Sequence, residues 1–193
     1  MQIPRRKPLA ANVALISVGL DTYWKQFPGL LDELMGKSAK LAKKLAANAV
    51  SVTDFGMIDN SAKAYAALPK ILAADPDVVF VDMVTYATSA TFAPIVRALS
   101  CPVVLAALQP LSAMDYPRGT TFMQLCNDDL CSVPEFTGVA VRMGKPVADV
   151  GEGLGQEQAA VAGEAHQDGL PERDRGDAPA GGDVVHVRSV GGT

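Results

Sequence analysis

The first 150 residues of this chain contain no histidine, and the two that exist, His166 and His186, fall in the last 43 residues. The body therefore lacks the commonest general base and the commonest metal ligand. Cysteine is scarce too. Three of them, an odd number in a chain of 193 residues, do not make a disulfide framework, and a reducing cytoplasm is the expected setting. There is no excess of positive charge: a net charge of −4 and a pI near 5.1 give no basic face for nucleic acid. No apolar run approaches the ~18–20 residues of a membrane span. The cluster Arg5-Arg6-Lys7 resembles the start of a signal peptide, but Pro8 follows it and the apolar run Val13–Val18 is too short for the rest of one. Residues 1–11 read as an N-terminal tail. Neither nucleic acid nor membrane is an expected partner.

The composition breaks near Val150. Residues 151–193 hold ten of the seventeen glycines and no Lys, Ile, Met, Cys or aromatic residue. Such a segment has no apolar period with which to form a core face, and disorder is its physical default. Val184–Val187 is the one stretch there that could form a short strand. The Gly151-x-Gly-x-Gly spacing invites a phosphate-loop reading, but lacks the final glycine, a clear preceding strand and a following helix.

Residues 12–150 read as a folded domain, long enough to bury roughly 68–70% of the unfolded chain's surface. Val13–Val18 is a continuous apolar run ending at Gly19, the pattern of a strand covered on both faces. A polar-aromatic loop, 20–27, leads to Pro28. An amphipathic helix follows, with Leu30, Leu31, Leu34, Met35, Leu41 and Leu45 on one side. Lys37, Lys40, Lys43 and Lys44 cover the other. The alternation repeats. Strands are expected at 49–55, 78–83 and 101–108. Helices are expected from Asn60 or Ser61 to about Ala74, with Pro69 a kink or stop, from Ser89 to Leu99 around Pro94, and from Ser132 to Met143, stopped by Gly144. A short strand or helix start is expected within 120–128. These β-α repeats predict an α/β fold: a doubly wound, mostly parallel sheet of the Rossmann or flavodoxin kind. Ligands of such folds sit at the carboxyl ends of the strands, here the loops 19–27, 56–60, 84–88 and 109–130.

Those loops hold few groups of obvious chemistry. Cys126 and Cys131 flank Asp128-Asp129, but no further Cys or His stands at ligand spacing, and ordinary thiols are the simpler reading. Adjacent carboxylates on a helix do not face each other, so capping by Asn127 or Asp128 is favoured over joint acid–base work. Asn127 could also contact a substrate, since an amide both donates and accepts. Tyr23 and Trp24 serve equally as an apolar lid or a ligand surface. A lone Gly19 is no dinucleotide fingerprint, which weakens a nucleotide-binding reading.

Several segments in order carry a resemblance. Gly19-Leu-Asp-Thr-Tyr-Trp24, Asp77-Val-Val-Phe-Val-Asp-Met-Val-Thr-Tyr86 with its continuation to Phe92, Pro102-Val-Val-Leu-Ala-Ala-Leu-Gln109, and 123–143 are similar to the N-terminal part of the L-arabinose isomerase / L-fucose isomerase family. The resemblance spans roughly 12–150. It implies a cytoplasmic protein of carbohydrate metabolism that interconverts aldose and ketose sugars. In that family Mn²⁺ is the cofactor and polarises substrate oxygens while carboxylates move protons. Its ligands, two Glu and two His, come from a later domain. The family is homo-oligomeric, and its N-terminal domain helps close a neighbouring subunit's sugar pocket. By position, the resemblance implies substrate contacts for Leu20, Tyr23, Tyr86 and Asn127. It implies no catalytic and no metal-binding residue in this chain. A family histidine just beyond Asn127 has no counterpart, Leu130 and Cys131 standing there instead, which bears on sugar preference. Nothing after Gly151 resembles the family. An out-of-frame read-through from about 151 is the expectation, with a natural linker as the alternative. A small non-catalytic flavodoxin-like module that binds a sugar or a protein is the competing reading of the whole.

Overall fold

The computed structural model describes residues 10–47, 50–145 and 147–152. Five strands form one sheet: β1 (Asn12–Val18), β2 (Ser51–Ile58), β3 (Val78–Asp82), β4 (Val103–Leu108) and β5 (Val147–Glu152). Their order is β2-β1-β3-β4-β5, and every neighbouring pair is parallel. The expected doubly wound α/β fold is therefore present, in the flavodoxin-like order. Among the described residues the helices are α1 (Thr22–Gln26), α2 (Leu30–Ala46), α3 (Ser61–Ala73), α4 (Ser89–Ala98), α5 (Thr121–Leu125) and α6 (Val133–Arg142). Among the described residues, no helix is long and apolar enough to cross a membrane.

The alternation of side chains along a strand sorts the core into two layers. Ala14, Ile16 and Val18 of β1 join the larger core, with Ile71 of α3, Phe92 and Ile95 of α4, and Phe136 of α6. Leu15 faces the other way, toward Leu41 of α2 and Ala106 of β4. A strand buried on both faces has no use for polar alternation, which is why β1 reads as an unbroken apolar run.

Several boundaries differ from the sequence reading, each for a local reason. The loop after β1 is not irregular throughout: 22–26 closes into a short helix, and Gly29, at φ 85°, turns the chain into α2. Pro28 thus precedes the helix rather than opening it. β2 runs to Ile58 because it carries a bulge. Leu15 pairs with Asp54 and Ser17 with Met57, so two residues of β2 oppose one of β1. Gly56 takes the left-handed turn this requires (φ 73°) and donates its amide to Asp54 Oδ1 at 2.8 Å. Pro69 and Pro94 stop neither helix. Each withholds one helical donor, from the carbonyls of Tyr65 and Ala90, and both of those residues are exposed to water.

The domain's expected end at 150 also moves. β5 continues through Gly151 and Glu152, so the glycine-rich motif begins inside a strand rather than in a phosphate-binding turn. The rest of the expected tail, with His166, His186 and the possible strand at 184–187, lies outside the described residues, as does the N-terminal tail up to residue 9.

Asn60 caps α3 as expected. Its Oδ1 accepts from the Lys63 amide at 2.9 Å, and its Nδ2 donates to Asp21 Oδ2 at 3.0 Å and Asp59 Oδ1 at 3.2 Å. Replacing Asn60 by Ala is expected to cost about 1 kcal/mol, the usual value of a lost cap. Urea unfolding monitored by far-UV circular dichroism would measure it.

Candidate functional site at the carboxyl edge of the sheet

The chain leaves β1 toward one side of the sheet and returns through β3 toward the other, so the crevice beyond their carboxyl ends is the topological switch point. Leu20 and Tyr23 come from the β1 side of it, and Tyr86 from the loop after β3. All three are half-buried. The connection between α5 and α6, residues 126–132, supplies the far wall.

Tyr23 has a raised pKa. Burial is the main cause, followed by the fields of Asp128, Cys131 and Tyr86. Tyr23, on α1, therefore lies within electrostatic reach of Tyr86 from the loop after β3 and of Asp128 and Cys131 from the 126–132 connection. Burial also raises the Asp128 carboxyl, and a hydrogen bond from Cys131 partly offsets this. The Cys131 thiol is pushed up to about 12 by desolvation and by the contact with Asp128 and its charge. Cys131 is accordingly a neutral thiol at physiological pH and a poor nucleophile. The surface offers phenol hydroxyls, a carboxylate and apolar ring faces. Such groups can hydrogen-bond hydroxyls and stack on apolar ring faces.

Asn127 has a different position from the one expected. It caps no helix: α6 begins only at Val133 with Ser132 as its cap residue, and 126–132 is a run of turns. Its side chain is turned inward. Oδ1 accepts from the Leu111 amide at 2.9 Å, Nδ2 donates to the Leu111 carbonyl at 3.4 Å, and its own carbonyl accepts from Gln109 Nε2 at 2.7 Å. Asn127 pins the long 109–120 connection, whereas the Asp128 charge acts on Tyr23. Asp128 and Asp129 point to different surroundings, as neighbouring residues should.

Trp24 is a packed lid. Its Nε1 donates to the buried Asp59 Oδ2 at 2.8 Å, an oxygen that also accepts from Lys63 Nζ at 2.6 Å. Its ring closes over Gly19, where an added Cβ would stand 3.0 Å from Trp24 Cη2 and 3.1 Å from Met57 Sδ. Glycine at the end of β1 thus serves close packing of the lid.

Beneath this surface lies a polar cluster that the sequence reading missed. Lys37 was expected on the solvated face of α2; instead its side chain is 14% exposed and paired with the wholly buried Asp129. Its Nζ donates to Asp129 Oδ1 and Oδ2 at 2.7 and 2.8 Å and to the carbonyls of Cys126 and Val84 at 3.1 and 3.3 Å. Asp82, at the end of β3, is buried beside it. Ser17, its Cα partner on β1, shares a 2.6 Å hydrogen bond with Ser38 of α2. The signal was in the period: 30, 34, 37, 38 and 41 form one helical stripe, and Lys37 stands within it. Two further ties hold the walls together. Ser132 Oγ accepts from the Ala87 amide and donates to the Ala87 carbonyl, both at 2.8 Å, and Glu135 accepts from the Ser89 amide at 2.7 Å.

No family model matches the chain, and no curated protein matches it. The class is set by architecture alone: an α/β domain of Rossmann-like fold whose switch point lies at the carboxyl ends of β1 and β3. The Mn²⁺ implied by the resemblance does not fit the described residues. No three His, Cys, Asp or Glu side chains among them converge on one point. Both Asp129 oxygens already hold an ammonium, and burial drives Asp82 toward its neutral form.

Proposed function

We propose that this chain is the sugar-facing N-terminal domain of an aldose–ketose isomerase resembling the L-arabinose and L-fucose isomerases, inactive without a metal-bearing domain. What supports this reading is that Tyr23, beside the switch point, feels the fields of Tyr86 and Asp128 from two other segments. Leu20 and the tyrosine rings supply apolar surface for the sugar's carbon face. Asp128 accepts hydrogen bonds from hydroxyls, and the phenols both donate and accept. Asn127 acts by holding the wall that carries Asp128. Proton transfer and metal chemistry lie with residues other than those described. A cytoplasmic setting and a homo-oligomer whose neighbours complete each pocket belong to the same reading.

Calorimetric titration with L-arabinose and L-fucose, alongside Tyr23→Ala, tests it. Weak saturable binding, lost in Tyr23→Ala while the protein stays folded, is expected. No binding of either sugar would overturn the reading. Purified chain with Mn²⁺ is expected to isomerise neither sugar; turnover well above a metal-only blank would show that a catalytic centre resides in this chain. A monodisperse monomer with the same sugar affinity would favour the stand-alone binding module.

A further inference from the structure

The cluster beneath the crevice has one hydrogen-bonding group too few. Lys37 Nζ has four oxygens within 2.7–3.3 Å: both of Asp129, and the carbonyls of Val84 and Cys126. An ammonium has three protons, so none is left for Asp82. Asp82 is 3% exposed, and its Oδ2 has no hydrogen-bond partner among the described residues. The buried Thr85 hydroxyl, three residues on, has none either. Two carboxylates and one ammonium leave an excess negative charge in a place that water reaches poorly. One added proton removes it. The geometry decides where that proton goes, because both Asp129 oxygens are taken by Lys37 while one Asp82 oxygen is bare.

We propose that Asp82 is a proton-binding site that sets how firmly Lys37 holds the 126–132 wall of the crevice. With the proton on Asp82, Lys37 has a single charged partner, Asp129, and the wall is locked. With the proton gone, a second buried carboxylate competes for the same ammonium, and the wall loosens. No covalent bond changes; the proton comes from and returns to solvent. The proposal stands on the cluster alone, whatever ligand the crevice takes.

The charged groups facing Asp82 are Lys37 from α2, Asp129 from the 126–132 connection and Asp54 from β2, with Ser38 hydrogen-bonding it. Asp128 adds its field to Asp129. Desolvation pushes the Asp82 and Asp129 carboxyls up to about 6, and such neighbours titrate as a pair. The sign follows. A folded-state pKa above the ordinary carboxylate value of about 4 means that the folded protein binds more protons between the two values. The lock forms as the first proton reaches Asp82, is lost as pH rises through about 6, and is undone again at lower pH where a second proton reaches Asp129.

Amide hydrogen exchange of residues 124–133 in the purified full chain, at pD 5.5 and 7.5 and corrected for intrinsic rates, reads the lock. Protection is expected to fall about tenfold on going to the higher value, the equivalent of one pKa unit. Asp82→Asn, isosteric and uncharged, is expected to keep the low-pD protection at both. Equal protection in the wild type at both values, or a variant with the wild-type dependence, would overturn the proposal. A ¹³C carboxyl titration of the wild type needs no variant: Asp82 is expected to titrate first on acidification, and Asp129 titrating first would overturn it.

Discussion

Replacing Lys37 by Met should lower the unfolding free energy by about 3–5 kcal/mol, the cost of leaving a buried charge without its partner. Methionine matches the aliphatic stem, so lost packing is a minor part of the effect. What disappears is the ammonium that donates to Asp129 Oδ1 and Oδ2 and to the Val84 and Cys126 carbonyls. Asp129 would answer by taking a proton, which moderates the loss at low pH. Without the Lys37 ammonium to hold it down, the Asp129 carboxyl rises above its wild-type value of about 6, so stability should recover partly as pH falls, beginning above that value. Pairing Lys37→Met with Asp129→Asn should also recover part of it, since no charge then remains to be solvated. Urea denaturation of the single and double variants at two pH values measures both effects. A Lys37→Met protein as stable as the parent at neutral pH would mean that the ion pair is not formed in solution.

Phe136→Ala should cost a similar amount, about 3–5 kcal/mol, for a different reason. Phe136 is fully buried and stacks on Phe92, with ring centroids 4.5 Å apart and planes 15° from parallel. This pair is where α6 meets α4 beneath the sheet. Truncation removes the transfer energy of a benzyl group and leaves a cavity that neighbouring β-strands are too rigid to fill. Because α6 follows directly from the 126–132 wall, the sugar binding proposed for that wall should weaken along with stability. Phe136→Leu, which keeps most of the volume, should lose much less on both measures. Thermal unfolding followed by circular dichroism separates the two variants, and an equal loss in both would mean that the site is not tightly packed.

The fold was legible where hydrophobic pattern alone decides structure. β1, β3 and β4 are apolar runs because they are buried on both faces, and Asn60 marks the start of α3 by its chemistry. β5 was missed because Val147–Glu152 is short, polar at two positions and interrupted by Gly151. As an edge strand it takes its order from β4 alone. The bulge in β2 depends on Gly56 and on pairing with β1, which no local pattern reveals. At the site, Tyr23 and Tyr86 were placed together by fold-level reasoning and by resemblance. Asp82 and Asp129 were hidden for a physical reason. A carboxylate inside an apolar strand or beside another acid looks the same in sequence whether it meets solvent or an ammonium from a distant helix. Lys37 itself could have been found, since it breaks an apolar stripe on α2 at the position that faces the sheet.

Amide shift mapping of the ¹⁵N-labelled chain during titration with L-arabinose and L-fucose tests most directly whether the switch-point crevice binds a sugar. Shifts confined to residues 20–23, 85–88 and 127–132, saturable and weakened by Tyr23→Ala, are the expected result. Shifts confined to the outer faces of α3, α4 and α6, or none at saturating sugar, would contradict it.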